Sequence, residues 1–182
     1  QEGGWVTQET AVRAGMNLIW LEVDPVPDDP ETVFGQVDLV SAWAFTPGRE
    51  PGDRGAWASY DRNRPAFLNT LRAVQGKRGY VLFAGSGGTL RVTGRPVNRP
   101  ERLRGRRANM IGTWSRAITG PTFEDHFARP PALDKVEGVF SASGDRLSSV
   151  APSARMASGA AYWAFVAADL EPLGVLQLDT PH

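Results

Sequence analysis

The sequence predicts a mainly β protein with short helices, a β-rich α+β chain whose two homologous β-rich halves pack with pseudo-twofold symmetry. Three observations carry that expectation. Twenty glycines and fourteen prolines cut the chain into short apolar runs, each long enough for a strand and too short for a long helix. Helix starts are few, and each opens only a short segment. The landmarks of the first half also recur, in the same order, in the second.

Met16 to Val23 is a continuous apolar run, read as a buried strand, and it ends where Pro25, Pro27 and Pro30 forbid regular structure. Asp29-Pro30 then opens a short helix, with Asp as N-cap, Pro at the first position, Val33 and Phe34 inward and Gly35 at the end. Val37 to Phe45 is the next strand, and Ala56 to Asp61 another, with Trp57, Ser59 and Asp61 facing away from Ala58 and Tyr60. In the following stretch Phe67, Leu68, Leu71 and Val74 recur at helical spacing between Pro65 and Gly76, a helical reading with some ambiguity. "RGYVLFAG" and "TLRVTG" read as a hairpin around Ser86-Gly87-Gly88.

The second half follows the same plan. Asn109 in "ANMIGTW" aligns with Asn17 in "GMNLIW", and Phe127 with Phe34. Thr122 and Asp125 form a capping box before the second helix. Val136 to Ser143 stands where Val37 to Phe45 stood, and "RLSSVAP" matches "AWASYDRN". Gly159 to Ala167 matches "KRGYVLFAG", pairing Tyr162 with Tyr80 and Phe165 with Phe83, and Leu173 to Asp179 matches "GTLRVTG". The expected organisation is an N-terminal segment 1–11, a first copy 12–97, an Arg/Pro-rich linker 98–104 and a second copy 105–182. Asn17 and Asn109 are then expected to bind backbone groups at equivalent strand starts.

Composition bounds the function. The 182 residues are 41% hydrophobic and 22% charged, which suits a packed domain. Lys plus Arg equal Asp plus Glu at 20 each, which argues against a dedicated nucleic-acid or membrane-surface binder. No apolar run nears the roughly 18 residues of a spanning helix, so no membrane insertion is expected. Without cysteine there are no disulfides, thiolate zinc sites or cysteine nucleophiles. The chain starts at Gln1 and not at Met, as after removal of a signal peptide or at the edge of a fragment; export after signal-peptide removal is the expectation.

The pattern "GMNLIW…WASYD…LNTLRAVQGKRGYVLFAG" resembles a repeat domain common in large secreted bacterial and archaeal surface proteins, often found in tandem pairs. Gly15, Asn17, Tyr60, Asn69, Thr70, Leu71, Gly79 and Tyr80 carry the resemblance in the first copy; Asn109, Ile111, Gly112, Tyr162 and Trp163 carry it in the second. Met16, Val81 and Ala161 depart from that pattern, the first two where it has Trp. The resemblance implies an extracellular or cell-surface accessory module and brings no catalytic residues with it.

The chemistry-bearing residues point to binding. His126, in "FEDHFAR", lacks a second metal ligand one helical turn away and reads as a surface histidine; His182 is the last residue. Ser86 lacks the full nucleophile-elbow pattern and reads as a turn residue. Asp24, Asp28 and Asp29 lack calcium-loop spacing. No cofactor, metal site or catalytic set is therefore assigned. Trp20, Trp43, Trp114 and Trp163 lie in apolar runs and are expected in the core, whereas Trp57, Tyr60 and Trp5 are the candidate ligand-binding aromatics. Arg99, Arg102, Arg104, Arg106 and Arg107 form a candidate polyanion-binding stretch, with an exposed linker paired to acidic loops as the plainer reading. The leading expectation is a non-catalytic exported module that attaches to, or assembles with, a protein partner. The first alternative is a carbohydrate-binding module. The second is an enzyme using carboxylates such as Asp53, Asp61, Glu124 or Asp145.

Overall fold

The computed structural model describes residues 4–49, 53–97, 101–114, 120–127, 133–143 and 146–170. The protein is mainly β, with three antiparallel sheets and two short helices. The first half contributes β1 (Val6–Val12), β2 (Gly15–Leu21), β3 (Val23–Pro25), α1 (Pro30–Phe34), β4 (Leu39–Thr46), β5 (Ala56–Asp61), β6 (Arg78–Ala84) and β7 (Gly88–Pro96). The second contributes β8 (Arg107–Gly112), α2 (Phe123–Phe127), β9 (Val136–Ser143), β10 (Arg146–Ser149) and β11 (Ala161–Val166). The sheets run β1-β7-β3, β2-β6-β4-β5 and β8-β11-β9-β10.

Local chemistry explains the helices. Asp29 accepts a hydrogen bond from the Thr32 amide at 2.8 Å, Pro30 supplies a helical φ, and the Gly35 amide closes the turn on Glu31. On α2, Thr122 Oγ1 accepts from the Asp125 amide while Asp125 accepts from the Thr122 amide, a reciprocal capping box. Each helix lies against its own core. Val33 and Phe34 join Ile19, Leu21, Tyr80, Leu82 and Leu90; Phe123 and Phe127 join Ile111, Tyr162, Ala164 and Val166.

Two sequence expectations are corrected. Residues 65–75 are not a helix: after a single 3-10 turn at Ala66–Leu68 the chain continues without regular secondary structure. There Thr70 and Leu71 both donate to the Ser59 carbonyl, and Asn69 accepts from the Asp61 amide and donates to the Asp61 carbonyl. These polar side chains bind the β5 backbone, and that competing set of hydrogen bonds outweighs the helical spacing of the apolar residues. Next, β6 and β7 are joined by a glycine turn yet do not pair; they enter different sheets, so the turn is a corner and not a hairpin. Val6–Val12, for which the sequence reading assigned no element, is a strand paired along its whole length with β7. The expected strand at Leu173 to Asp179 lies outside the described residues.

The two four-stranded sheets share one strand order, with a helix between the first and second strands of each. Their fastenings also correspond. Asn17 accepts from the Arg13 amide and donates to the Arg13 and Gly15 carbonyls; Asn109 does the same with Arg104 and Arg107. The Tyr80 hydroxyl accepts from the amide five residues earlier, Gln75, and the Tyr162 hydroxyl from Ala157, also five earlier. The amides of Val74 and Met156 donate to Asp28 and Pro121, the residues just before the two helix caps.

Candidate functional site

The sheets built from β2 and β6 and from β8 and β11 meet along a seam. Glycines let them approach: a Cβ on Gly112 would lie 2.3 Å from Trp20 Cγ, and one on Gly79 would lie 2.8 Å from Met110 Cβ. The Trp20 amide donates to the Gly159 carbonyl at 2.9 Å, so the seam is hydrogen-bonded as well as packed. Trp20 is fully buried there.

At one end of the seam three aromatic rings gather. Phe45 on β4 stands 5.1 Å from Trp57 on β5 and 5.3 Å from Trp163 on β11, and the two indoles are 5.9 Å apart, edge to face. Trp57 remains 47% exposed, so one side of the cluster faces solvent. Beside it opens a cavity of about 230 Å³, lined among others by Trp20, Phe45, Lys77, Arg78, Glu101 and Met110. Arg78 donates to Thr46 Oγ1 at 2.7 Å, which fixes its side chain at the rim.

Behind the cavity lies a buried ionic group that sequence reasoning missed. Lys77 Nζ is 2.5 Å from Glu22 Oε2, and Trp20 Nε1 donates to Glu22 Oε1 at 2.8 Å. Burial raises the Glu22 pKa; the Lys77 ammonium and the Trp20 indole oppose the rise, and the Glu101 carboxylate adds to it. Glu101 Oε2 in turn faces His126 Nε2 at 3.5 Å, with side chains 8% and 5% exposed. Glu101 Oε1 and His126 Nε2 are buried without a hydrogen bond among the described residues, whereas Glu22 Oε2 is held by the Lys77 ammonium. His126 is thus not the surface residue expected. It turns inward because α2 presents Phe123, His126 and Phe127 on one face, and a lone histidine carries no sequence mark of that. Nor are the acids all apart: Glu22 and Glu101, far separated in sequence, interact in the fold. Among the described residues no three His, Asp or Glu side chains converge as a metal site.

The residues singled out in the sequence are dispersed. Trp57 lies on the seam, but Tyr60 packs with Ala58 toward the first core, on the opposite face of β5. Trp5 precedes β1, in a different sheet, and is exposed. Trp20 is buried, and Trp43, Trp114 and Trp163 are half-buried. Of the arginines, Arg104 pairs with Asp169 at 3.4 Å, Arg107 donates to the Gly48 carbonyl, Arg106 opens β8 with a left-handed φ of 57°, and Arg102 lines the cavity. Arg99, Asp145 and His182 lie outside the described residues. Asp53 accepts from the Arg49 and Gly55 amides, which lower its pKa, and Asp61 accepts from the Asn63 amide. These two acids serve loop backbones, and Glu124 sits apart from them on α2. Ser86 sits in the corner between β6 and β7.

Searches of family models, curated proteins and solved structures returned no match for this chain.

Proposed function

We propose that the chain is a non-catalytic module, exported to the cell surface, that serves in attachment or assembly with a protein partner. The observation that carries this reading is the placement of Trp57. Its indole is half-exposed and yet gripped by Phe45 and by Trp163 of the other sheet, which makes a rigid aromatic platform. Held aromatic side chains of this kind lose little freedom on binding and recur at the centres of protein contacts. We further propose that the chain arose by internal duplication and packs with pseudo-twofold symmetry. The shared strand order and the matched Asn17/Asn109 and Tyr80/Tyr162 fastenings support that view. The resemblance to secreted tandem repeats supports the location.

A second reading, a carbohydrate-binding module, draws on the same indole and on the cavity beside it, whose volume of about 230 Å³ suits a single ring-sized group. Retention of the full chain on intact producing cells, with and without Trp57→Ala, tests both. Binding abolished by protease treatment of the cells supports a protein partner. Binding that survives protease and is competed by released cell-wall glycan selects the second reading. Equal retention of Trp57→Ala and the wild-type chain would sink both.

A further inference from the structure

The segment that defied the helical expectation carries a surface of its own. Pro65, Ala66, Phe67 and Leu68 are four consecutive exposed apolar residues, with Phe67 77% and Leu68 49% exposed. An uninterrupted exposed apolar run is a liability that a soluble fold avoids unless it is used. It is also held firmly. The Leu68 amide donates to the Pro65 carbonyl and the Asn69 amide to the Ala66 carbonyl, which also receives Arg72 Nη1 at 3.2 Å. Just beyond, Asn69 and Thr70 clamp the chain to β5, with Thr70 Oγ1 accepting from the Ser59 amide at 2.9 Å.

The charge around the turn leans positive. Arg64 precedes it and Arg72 follows it, and neither forms an ion pair among the described residues. Arg62 Nη2 is turned instead toward the Gly35 carbonyl at 3.4 Å, on the side of Glu31 and Asp29. The stretch holds one acid, Asp61, which accepts from the Asn63 amide. In a chain of zero net charge the apolar tip is therefore flanked in sequence by more cations than anions.

We propose that the Pro65–Leu68 turn is a peripheral docking point for an anionic phospholipid surface. Phe67 and Leu68 enter the boundary between headgroups and acyl chains, and Arg64 and Arg72 contact lipid phosphates. Basic residues at the edge of an inserted apolar element are the chemistry such an interface selects. The turn's own hydrogen bonds occupy the Pro65 and Ala66 carbonyls and the Leu68 and Asn69 amides, and Pro65 has no amide proton. Fewer bare polar groups therefore enter the lipid. A protein pocket would take the same side chains, but two apolar side chains with an arginine on either side in sequence fit a fluid charged surface better than a shaped cleft. The proposal uses a surface separate from the Trp57 seam and does not depend on it.

The test is co-sedimentation of the full chain with unilamellar vesicles of phosphatidylcholine containing about 30% phosphatidylglycerol, against phosphatidylcholine alone. Partitioning onto the anionic vesicles, weakened when salt rises from about 0.1 M to about 0.5 M, is expected. Phe67→Ser with Leu68→Ser should lower the partition coefficient about tenfold or more, and Arg64→Glu with Arg72→Glu likewise. Leu147→Ser, which removes an exposed leucine on β10, should change nothing. Unchanged circular dichroism and melting temperature of each variant exclude misfolding as the cause. The proposal is overturned if the wild-type chain stays in the supernatant with anionic vesicles, or if the Phe67/Leu68 variant binds them equally well.

Discussion

His126 Nε2 faces Glu101 Oε2 at 3.5 Å, and both side chains are more than nine-tenths buried, so helix α2 and the segment before β8 are joined through a polar contact away from water. Removing the histidine takes away the polar neighbour of a buried acid. His126→Ala should therefore destabilise the fold by about 2–4 kcal/mol, and adding Glu101→Leu should recover part of that loss. Urea denaturation of the two single variants and the double variant gives the coupling. A His126→Ala midpoint equal to wild type would show that the contact contributes nothing.

Glu22 has a raised pKa, chiefly from burial. A raised folded-state value means that its contribution to stability is fully present below the ordinary value of 4.5 and is lost as pH rises through the folded value. The stability of the wild type relative to Glu22→Gln should fall as pH is raised above about 4.5. Asp29 and Asp125 have the opposite sign. Amide and hydroxyl donors at their helix starts lower their pKa, so their contribution is present above 3.8 and lost as pH falls. Paired denaturation series across pH 4–8 for wild type and Glu22→Gln check the first sign; a difference that grows with pH would contradict it.

Gly112 allows the two sheets to touch. Gly112→Ala places a methyl group against the fully buried Trp20 side chain and should cost about 1–3 kcal/mol, since the indole is fixed by burial and by its hydrogen bond to Glu22. The measurements are the melting temperature and the tryptophan emission maximum, which should shift to the red if the seam opens. An unshifted spectrum with full stability would mean that the sheets separate freely at this point.

The two tyrosine hydroxyls offer a test of equivalence. Tyr80→Phe and Tyr162→Phe each remove an acceptor from a backbone amide, that of Gln75 or Ala157, and should each cost about 1 kcal/mol. Closely matched losses in thermal or urea unfolding are expected of one unit used twice. A large loss at one site with none at the other would argue against that correspondence.

What the sequence disclosed was local. Asp29-Pro30 and Thr122 with Asp125 were legible because a cap and its partner lie within one turn. Strands such as Ala56–Asp61 and Val136–Ser143 were legible from short apolar runs bounded by turn residues. The glycine turn after β6 marked a change of direction, but pairing is decided by which faces must be buried, and there the next strand joins β1 and β3. Phe67 and Leu68 shared their spacing with Leu71 and Val74, yet only the latter two are buried, because Asn69 and Thr70 bind β5. The Lys77–Glu22 and Glu101–His126 contacts are wholly tertiary. No spacing announces them, and they formed no part of the sequence reading of the site. Of the candidate site, Trp57 was visible; Phe45 and Trp163, which hold it, were not singled out.

The pairing of β1 with β7 also sets an order of events. Val6 meets Gly94 and Val12 meets Gly88, so β1, made before the rest of its half, must wait for one of the last strands of that half. Until then β1 is an unpaired ribbon, and β3, which also pairs only with β7, waits with it. Closure across so long a stretch of chain is slow compared with forming a helix or a tight hairpin. The first half therefore completes itself only when β7 arrives, and a chain cut short before Gly88 would expose both strands to neighbouring chains.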